Sequence, residues 1–172
     1  MKAKWTKAKG IMAAAAVSSA LSLGAALVTA SAQADTVTNR TTGLTTDHNP
    51  FSGGYEGYCT WGAQELIHAH TGYYVRALTG NAENWASQAQ AAGWTVVGEP
   101  QPRSIAVYSS ALVGGVGHVA WVEAVNGGDI TITEMNLGTG ATAANGYRTT
   151  GFNEFDTRTT KDVPGMSYIL IP

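Results

Sequence analysis

A single cysteine, Cys59, stands in a chain of 172 residues. It excludes an intramolecular disulfide and any metal or iron–sulfur centre built from several thiolates. Charge is sparse as well. Only 13% of the residues are Asp, Glu, Lys or Arg, and Lys2, Lys4, Lys7 and Lys9 hold four of the ten cations. No basic cluster follows them, so a nucleic-acid partner, which requires a positive stripe, is not expected. Proline is rare at 5 residues, whereas glycine reaches 21, beside 5 Trp, 7 Tyr and a hydrophobic share of 44%. That balance describes a folded, turn-rich domain containing sheet, and the length is a prior for one such domain.

The four early lysines come without an acid. Residues 11–28 then form an Ala/Leu/Val-rich run broken by Ser18, Ser19 and Ser22, and Ser31-Ala32-Gln33-Ala34 supplies small residues at an A-x-A site. This is the pattern of a secretory signal peptide over residues 1–34, cut after Ala34. Beyond the cut, six Lys and Arg face twelve acids, a net charge of −6. Such a chain has no charge-based attraction to anionic lipid and is expected to leave the membrane once cleaved. Exported proteins tend to use cysteine in pairs, so a lone one signals a reactive thiol or a dimer bridge.

Residues 35–48 are Thr-rich without an apolar period and read as a linker, which leaves 49–172 as the folded unit. From Cys59 onward, Cys59, Ala63, Leu66, Ile67 and His70 recur at spacings of four and three, one face of a helix that Gly72 ends. A second short helix starts at Asn81 to Asn84, carries Trp85, Ala89 and Ala92 on one face, and stops at Gly93. Strand patterns follow at residues 94–97, 105–108, 118–125, 130–136, 147–150 and 168–171. Helices followed by consecutive strands make an α+β domain with an antiparallel sheet of about five to six strands.

The hairpin between the third and fourth strands decides whether polar residues converge. A three-residue loop Asn126-Gly127-Gly128, with Gly128 left-handed, pairs Val125 with Asp129. His118 then falls opposite Asn136, Ala120 opposite Glu134, and Val122 opposite Ile132, with Ala124 on the same face as His118. A two-residue Asn-Gly turn would oppose His118 to Met135 and spoil the apolar face. In the favoured register one face is apolar at its middle and polar at its end. Cys59, at the first turn of its helix, has free backbone N–H groups and the helix dipole to stabilise a thiolate. A thiol there and a histidine with carboxylate and amide neighbours form a nucleophile–base–orienter set. His118 is the base, and Glu134 or Asn136 holds its other nitrogen. No metal site is expected: His68 and His70 lie about 200° apart around the helix and cannot share an ion.

Four ordered blocks carry a family resemblance: Tyr58-Cys59-Thr60-Trp61, Ile105-Ala106-Val107, Gly117-His118-Val119-Ala120-Trp121-Val122-Glu123 and Ile132-Thr133-Glu134-Met135-Asn136. Together they resemble the CHAP domain, the cysteine, histidine-dependent amidohydrolase/peptidase, over residues 49–171. One departure is Arg103-Ser104 where a Gly-Asp pair is usual. The resemblance implies a papain-like fold related to the NlpC-type cell-wall peptidases, with the Cys-bearing helix packed on the antiparallel sheet. It also implies Cys59, His118, Glu134 and Asn136 as the catalytic set, and amide bonds of bacterial peptidoglycan as the substrate. The expectation is a secreted or wall-located thiol hydrolase of a Gram-positive bacterium, acting as a monomer without a cofactor. Tyr58 and Tyr55 are expected to line its cleft. The alternative is a non-catalytic wall-associated or surface protein that keeps the fold as a binding module.

Overall fold

The structure, a computed structural model, describes residues 44–171. The signal peptide read over 1–34, and the linker as far as residue 43, lie outside the described residues. The end of that linker belongs to the fold. Leu44 packs on the main core, and β1 (Thr45–Thr46) pairs antiparallel with β2 (Tyr74–Val75).

Helix α1 (Cys59–Thr71) follows the apolar spacing and stops at Gly72, its C-cap. Cys59, Ala63 and Ile67 are buried as expected. His70 instead emerges at the helix end, stacked on Trp121 at 4.4 Å between ring centroids. Buried Gln64 anchors the helix to the β2 segment: its Nε2 donates to the carbonyls of Val75 and Leu78, and its Oε1 accepts from the Val75 amide. A 3-10 turn at Ala82–Asn84 leads into α2 (Trp85–Ala91).

The main sheet consists of β3 (Val96–Val97), β4 (Ser104–Tyr108), β5 (His118–Asn126), β6 (Asp129–Met135), β7 (Phe155–Lys161) and β8 (Ser167–Leu170). Their order is β3-β8-β4-β5-β6-β7, and every pairing is antiparallel. A short helix α3 (Ser110–Val113) interrupts the run of strands after β4. The expected α+β arrangement, a Cys-bearing helix on an antiparallel sheet, is the one found. Strand alternation splits the core in two. Ile105, Val107, Val119, Trp121 and Ile169 pack with Ile67, Leu78 and Trp85 on the helix side. Ala106, Tyr108, Ala120, Val122, Ile130, Ile132 and Tyr168 form a second cluster on the other face.

Two sequence expectations are corrected. Residues 147–150 are not a strand; they lie in the turn-rich connection between β6 and β7. The strand is β7, Phe-Asp-Thr-Arg-Thr-Thr-Lys, largely exposed. As the edge of the sheet it buries no continuous face, so it shows no apolar alternation. The ladder to β6 holds it, with hydroxyl pairs Thr131–Thr159 and Thr133–Thr157 at 3.1 and 2.8 Å.

The hairpin differs at its tip and agrees beyond it. The turn is the two-residue Gly127-Gly128, with Asn126 opposite Asp129 and Val125 opposite Ile130. Positive φ occurs at Gly127 (+60°) and not at Gly128, as a type II′ turn requires and as glycine permits. Glu123 is then an extra residue in β5. Ala124 pairs with Thr131, whereas Val122 pairs with Ile132 and Trp121 with Thr133. This β-bulge restores the expected register at the polar end of the hairpin. It also moves Ala124 off the His118 face and packs Val125 against the second cluster instead. Deleting Glu123 should therefore leave both faces in place, at the cost of its 2.7 Å hydrogen bond from Thr133, about 1 kcal/mol. A thermal melt of the soluble variant within about 2 kcal/mol of wild type is the expected result. An insoluble or molten variant would show that the bulge itself is required.

Candidate active site

Tyr58, the N-cap of α1, is extended (φ −89°, ψ 159°), makes no side-chain capping bond, and is followed by no acid in the first turn. The first carbonyl-bonded amide is that of Gly62, to Tyr58 O at 2.9 Å. The amides of Cys59, Thr60 and Trp61 precede it and have no carbonyl one turn back. Cys59 thus sits where backbone N–H groups favour negative charge.

His118 is brought in by a close approach of backbones. Gly117 has φ +78°, and a Cβ there would lie 2.5 Å from Tyr108 O and 2.8 Å from Glu83. Only glycine fits both demands, and the packing sets β5 to begin at His118, paired with Tyr108 of β4. The β5–β6 pairing runs from the turn to Trp121 opposite Thr133. His118 lies past its end. Its alternation belongs to the second cluster, yet it reaches the thiol of the helix side.

His118 is 3% exposed. Its Nε2 meets Glu134 Oε2 at 2.9 Å. The Cys59 thiol also acts on the ring and raises its pKa; with Nε2 engaged by Glu134, Nδ1 is the nitrogen left for it. Glu134, also 3% exposed, uses its other oxygen to accept from Arg158 Nε. Burial pushes the His118 pKa down, but the bonds and charges of Cys59 and Glu134 outweigh it and raise the group to about 9. Burial likewise pushes Glu134 up, and the bonds and charges of His118 and Arg158 reverse this, holding the carboxyl below its ordinary value.

Of the two residues left open as neighbours of the imidazole, Glu134 occupies the place. Asn136 does not stand opposite His118. It follows β6 with φ +59°, and this left-handed turn carries it out of the ladder. Its Oδ1 accepts from the Thr149 amide and hydroxyl, both at 2.8 Å, and its Nδ2 donates to Tyr147 O at 3.4 Å. It thereby folds the 137–154 connection back on itself. That connection also touches the loop before the cysteine. The Tyr58 hydroxyl donates to Gly146 O at 2.6 Å, the Asn153 amide donates to Gly57 O at 3.0 Å, and Phe152 meets the Tyr58 ring edge-on at 5.1 Å. Tyr55, 62% exposed, extends the row of rings, 6.3 Å from Tyr58.

Arg158 went unnoticed in the sequence because nothing in β7 announces a strand. Once the register is known, with Arg158 opposite Ile132 and Asp156 opposite Glu134, a diagonal Arg–Glu contact on one face follows. Among the described residues no group of three or more His, Cys, Asp and Glu side chains is arranged to hold a metal ion. His68 and His70 stack on Tyr74 and Trp121 respectively.

Comparison with known proteins gives the family of the fold. A profile of the CHAP domain matches residues 49–136, a segment that contains Cys59, His118, Glu134 and Asn136. Staphylococcal secretory antigen SsaA of Staphylococcus epidermidis is 40% identical over 86 residues, covering 49% of this chain and 31% of its own. Staphylococcal secretory antigen ssaA2 of Staphylococcus aureus is 35% identical over 99 residues, covering 57% and 33%. The chain thus spans about a third of the length of the curated relatives it matches. The crystal structure of an N-acetylmuramoyl-L-alanine amidase from Staphylococcus aureus is similar, with a TM-score of 0.54 at 28% identity over 66% of this chain and 30% of that one. With a match that covers half of its length and takes in the Cys–His–Glu arrangement, the chain belongs to the CHAP domain family.

Proposed function

We propose that the protein is an exported hydrolase of peptidoglycan that cleaves amide bonds with Cys59 as nucleophile. The observation that carries this reading is the buried imidazole of His118, bonded to the carboxylate of Glu134 and raised in pKa by the Cys59 thiol at a helix N-terminus. A binding module has no need of a base set against its thiol. The family supports the same reading, and the matched amidase and secretory antigens carry names consistent with wall chemistry outside the cell.

In this mechanism Cys59 Sγ, its proton passed to His118 Nδ1, attacks the amide carbonyl. The new oxyanion is met by the Cys59 backbone N–H at the helix start. His118 imidazolium then gives its proton to the departing amine, which leaves a thioester. Water, deprotonated by His118, attacks the thioester and releases the acid and the free thiol. Glu134 fixes the ring so that Nδ1 faces the sulfur and stabilises the imidazolium, while Arg158 keeps Glu134 ionised. Tyr58 and Tyr55 line the approach to Cys59. Asn136 serves the site by shaping the 137–154 connection. Residues 1–34 direct export, the folded unit works as a monomer, and no cofactor takes part. The scissile bond, at muramoyl–L-alanine or within the stem or cross-bridge, is read from the new amino termini of digested peptidoglycan.

Two results are expected. Cys59→Ser should lower hydrolysis of purified peptidoglycan by about a thousandfold or more with the melting temperature shifted by no more than about 2 °C, because the two side chains are nearly isosteric; lytic activity retained by the pure variant would remove the thiol mechanism. The second concerns pH. His118 is protonated below about 9, so kcat/KM should fall as pH rises through that value. Glu134→Gln removes a charge that raises His118, so the alkaline limb should move to lower pH and kcat should drop about ten- to a hundredfold. An unmoved limb would show that Glu134 does not act through His118.

A further inference from the structure

The 137–154 connection is braced where it leaves β6. The Asn136 amide donates to Gly151 O at 3.0 Å, the Gly138 amide to Thr150 O at 3.0 Å, and the Thr150 amide to Thr139 O at 3.2 Å. Phe152 follows directly, so its half-buried ring is carried by a turn that starts two residues after Glu134. The ring packs on the backbone that precedes the cysteine. Gly57 has φ +92°, and a Cβ there would lie 2.7 Å from Phe152 Cζ and 3.0 Å from Cε1. Phe152 thus occupies the space that a side chain at position 57 would fill. The Asn153 amide donates to Gly57 O at 3.0 Å, and the Tyr58 ring meets Phe152 edge-on at 5.1 Å. From the same connection, the Arg148 guanidinium lies 4.8 Å from the centre of the Phe152 ring, a cation–π contact that holds the ring in place.

The residues gripped in this way begin the helix. Tyr58 is the N-cap of α1, and its carbonyl accepts the first helical bond, from the Gly62 amide at 2.9 Å. No side chain caps this end, and an uncapped first turn is prone to fray. The entry of the chain is therefore set by what packs on residues 57 and 58. One turn further in, a Cβ at Gly62 would lie 2.9 Å from Met135 Cβ, so the body of the helix is seated on β6 independently. A misplacement of about 1 Å costs catalysis up to about a hundredfold, which makes the first residue of α1 the one that needs fixing. We propose that Phe152 is a positioning residue that acts through Gly57 and Tyr58 to hold Cys59 in place relative to the Glu134 end of β6; this rests on the nucleophile role given to Cys59 above. Phe152 and Arg148 lie beyond the residues 49–136 that match the CHAP profile, so this grip is no part of that match.

Phe152→Ala leaves the Gly62–Met135 contact in place, so the full chain should fold. Two readouts separate positioning from packing. In amide hydrogen exchange followed by NMR, the Gly62 N–H should exchange about tenfold faster in Phe152→Ala, while the Ile67 amide in the middle of α1 keeps its rate. With peptidoglycan as substrate, kcat should fall about ten- to a hundredfold with KM within about twofold of wild type. Phe152→Met, whose unbranched side chain refills the gap, should recover most of that loss. Unchanged exchange at Gly62 would overturn the proposal. So would a raised KM with kcat kept, which marks the ring as a substrate contact. The exchange is read without substrate: a wild type that cleaves no peptidoglycan ends the hydrolase reading and leaves the exchange to decide this one.

Discussion

The carboxylate of Glu134 is buried between a histidine and an arginine from strands on either side of its own. A buried charge is tolerated only when paired and hydrogen-bonded. That requirement couples three strands. Slip β5 by one residue against β6 and His118 turns to the other face; slip β7 and Arg158 does the same, leaving an uncompensated anion in the interior. Sheet register and the polarity of the site are therefore one constraint. The bulge at Glu123 fits this view: the two-residue Gly127-Gly128 turn alone would misalign the hairpin by one residue, and the extra residue corrects it before Val122.

The same arrangement orients the histidine. With Nε2 committed to Glu134, Nδ1 is the ring nitrogen left for the thiol. The cysteine, in turn, is fixed by a helix whose first turn carries neither a capping side chain nor an acid. The connection 137–154, folded by Asn136 and tied to Tyr58 and Gly57, completes the surroundings of Cys59 from the far end of β6. Three strand ends and one helix end thus meet at a single histidine.

Much of this was legible in the sequence where burial leaves a period. Cys59, Ala63 and Ile67 marked α1, and the alternation of Ala120, Val122, Ile130 and Ile132 placed Glu134 on the face of His118. Legibility failed where side chains do not pack. Strand β7 is an exposed edge of Thr and charged residues, so neither it nor Arg158 gave a signal, while Tyr147 to Thr150, richer in β-formers, was mistaken for it. Asn136 shared the parity of Glu134, but parity says nothing about where a strand ends, and its φ of +59° is not written in its neighbours. The hairpin gave the right register beyond the wrong loop, since glycine pairs admit several turns and a bulge can absorb the difference.

The account stands on a protonated His118 held by Glu134 against Cys59. An NMR titration of nitrogen-15-labelled histidines, with His118 assigned by its substitution, measures that directly. The account predicts that His118 remains an imidazolium through neutral pH and loses its proton near pH 9. A ring that is already neutral at pH 7, titrating at or below the ordinary value of about 6.5, would contradict it.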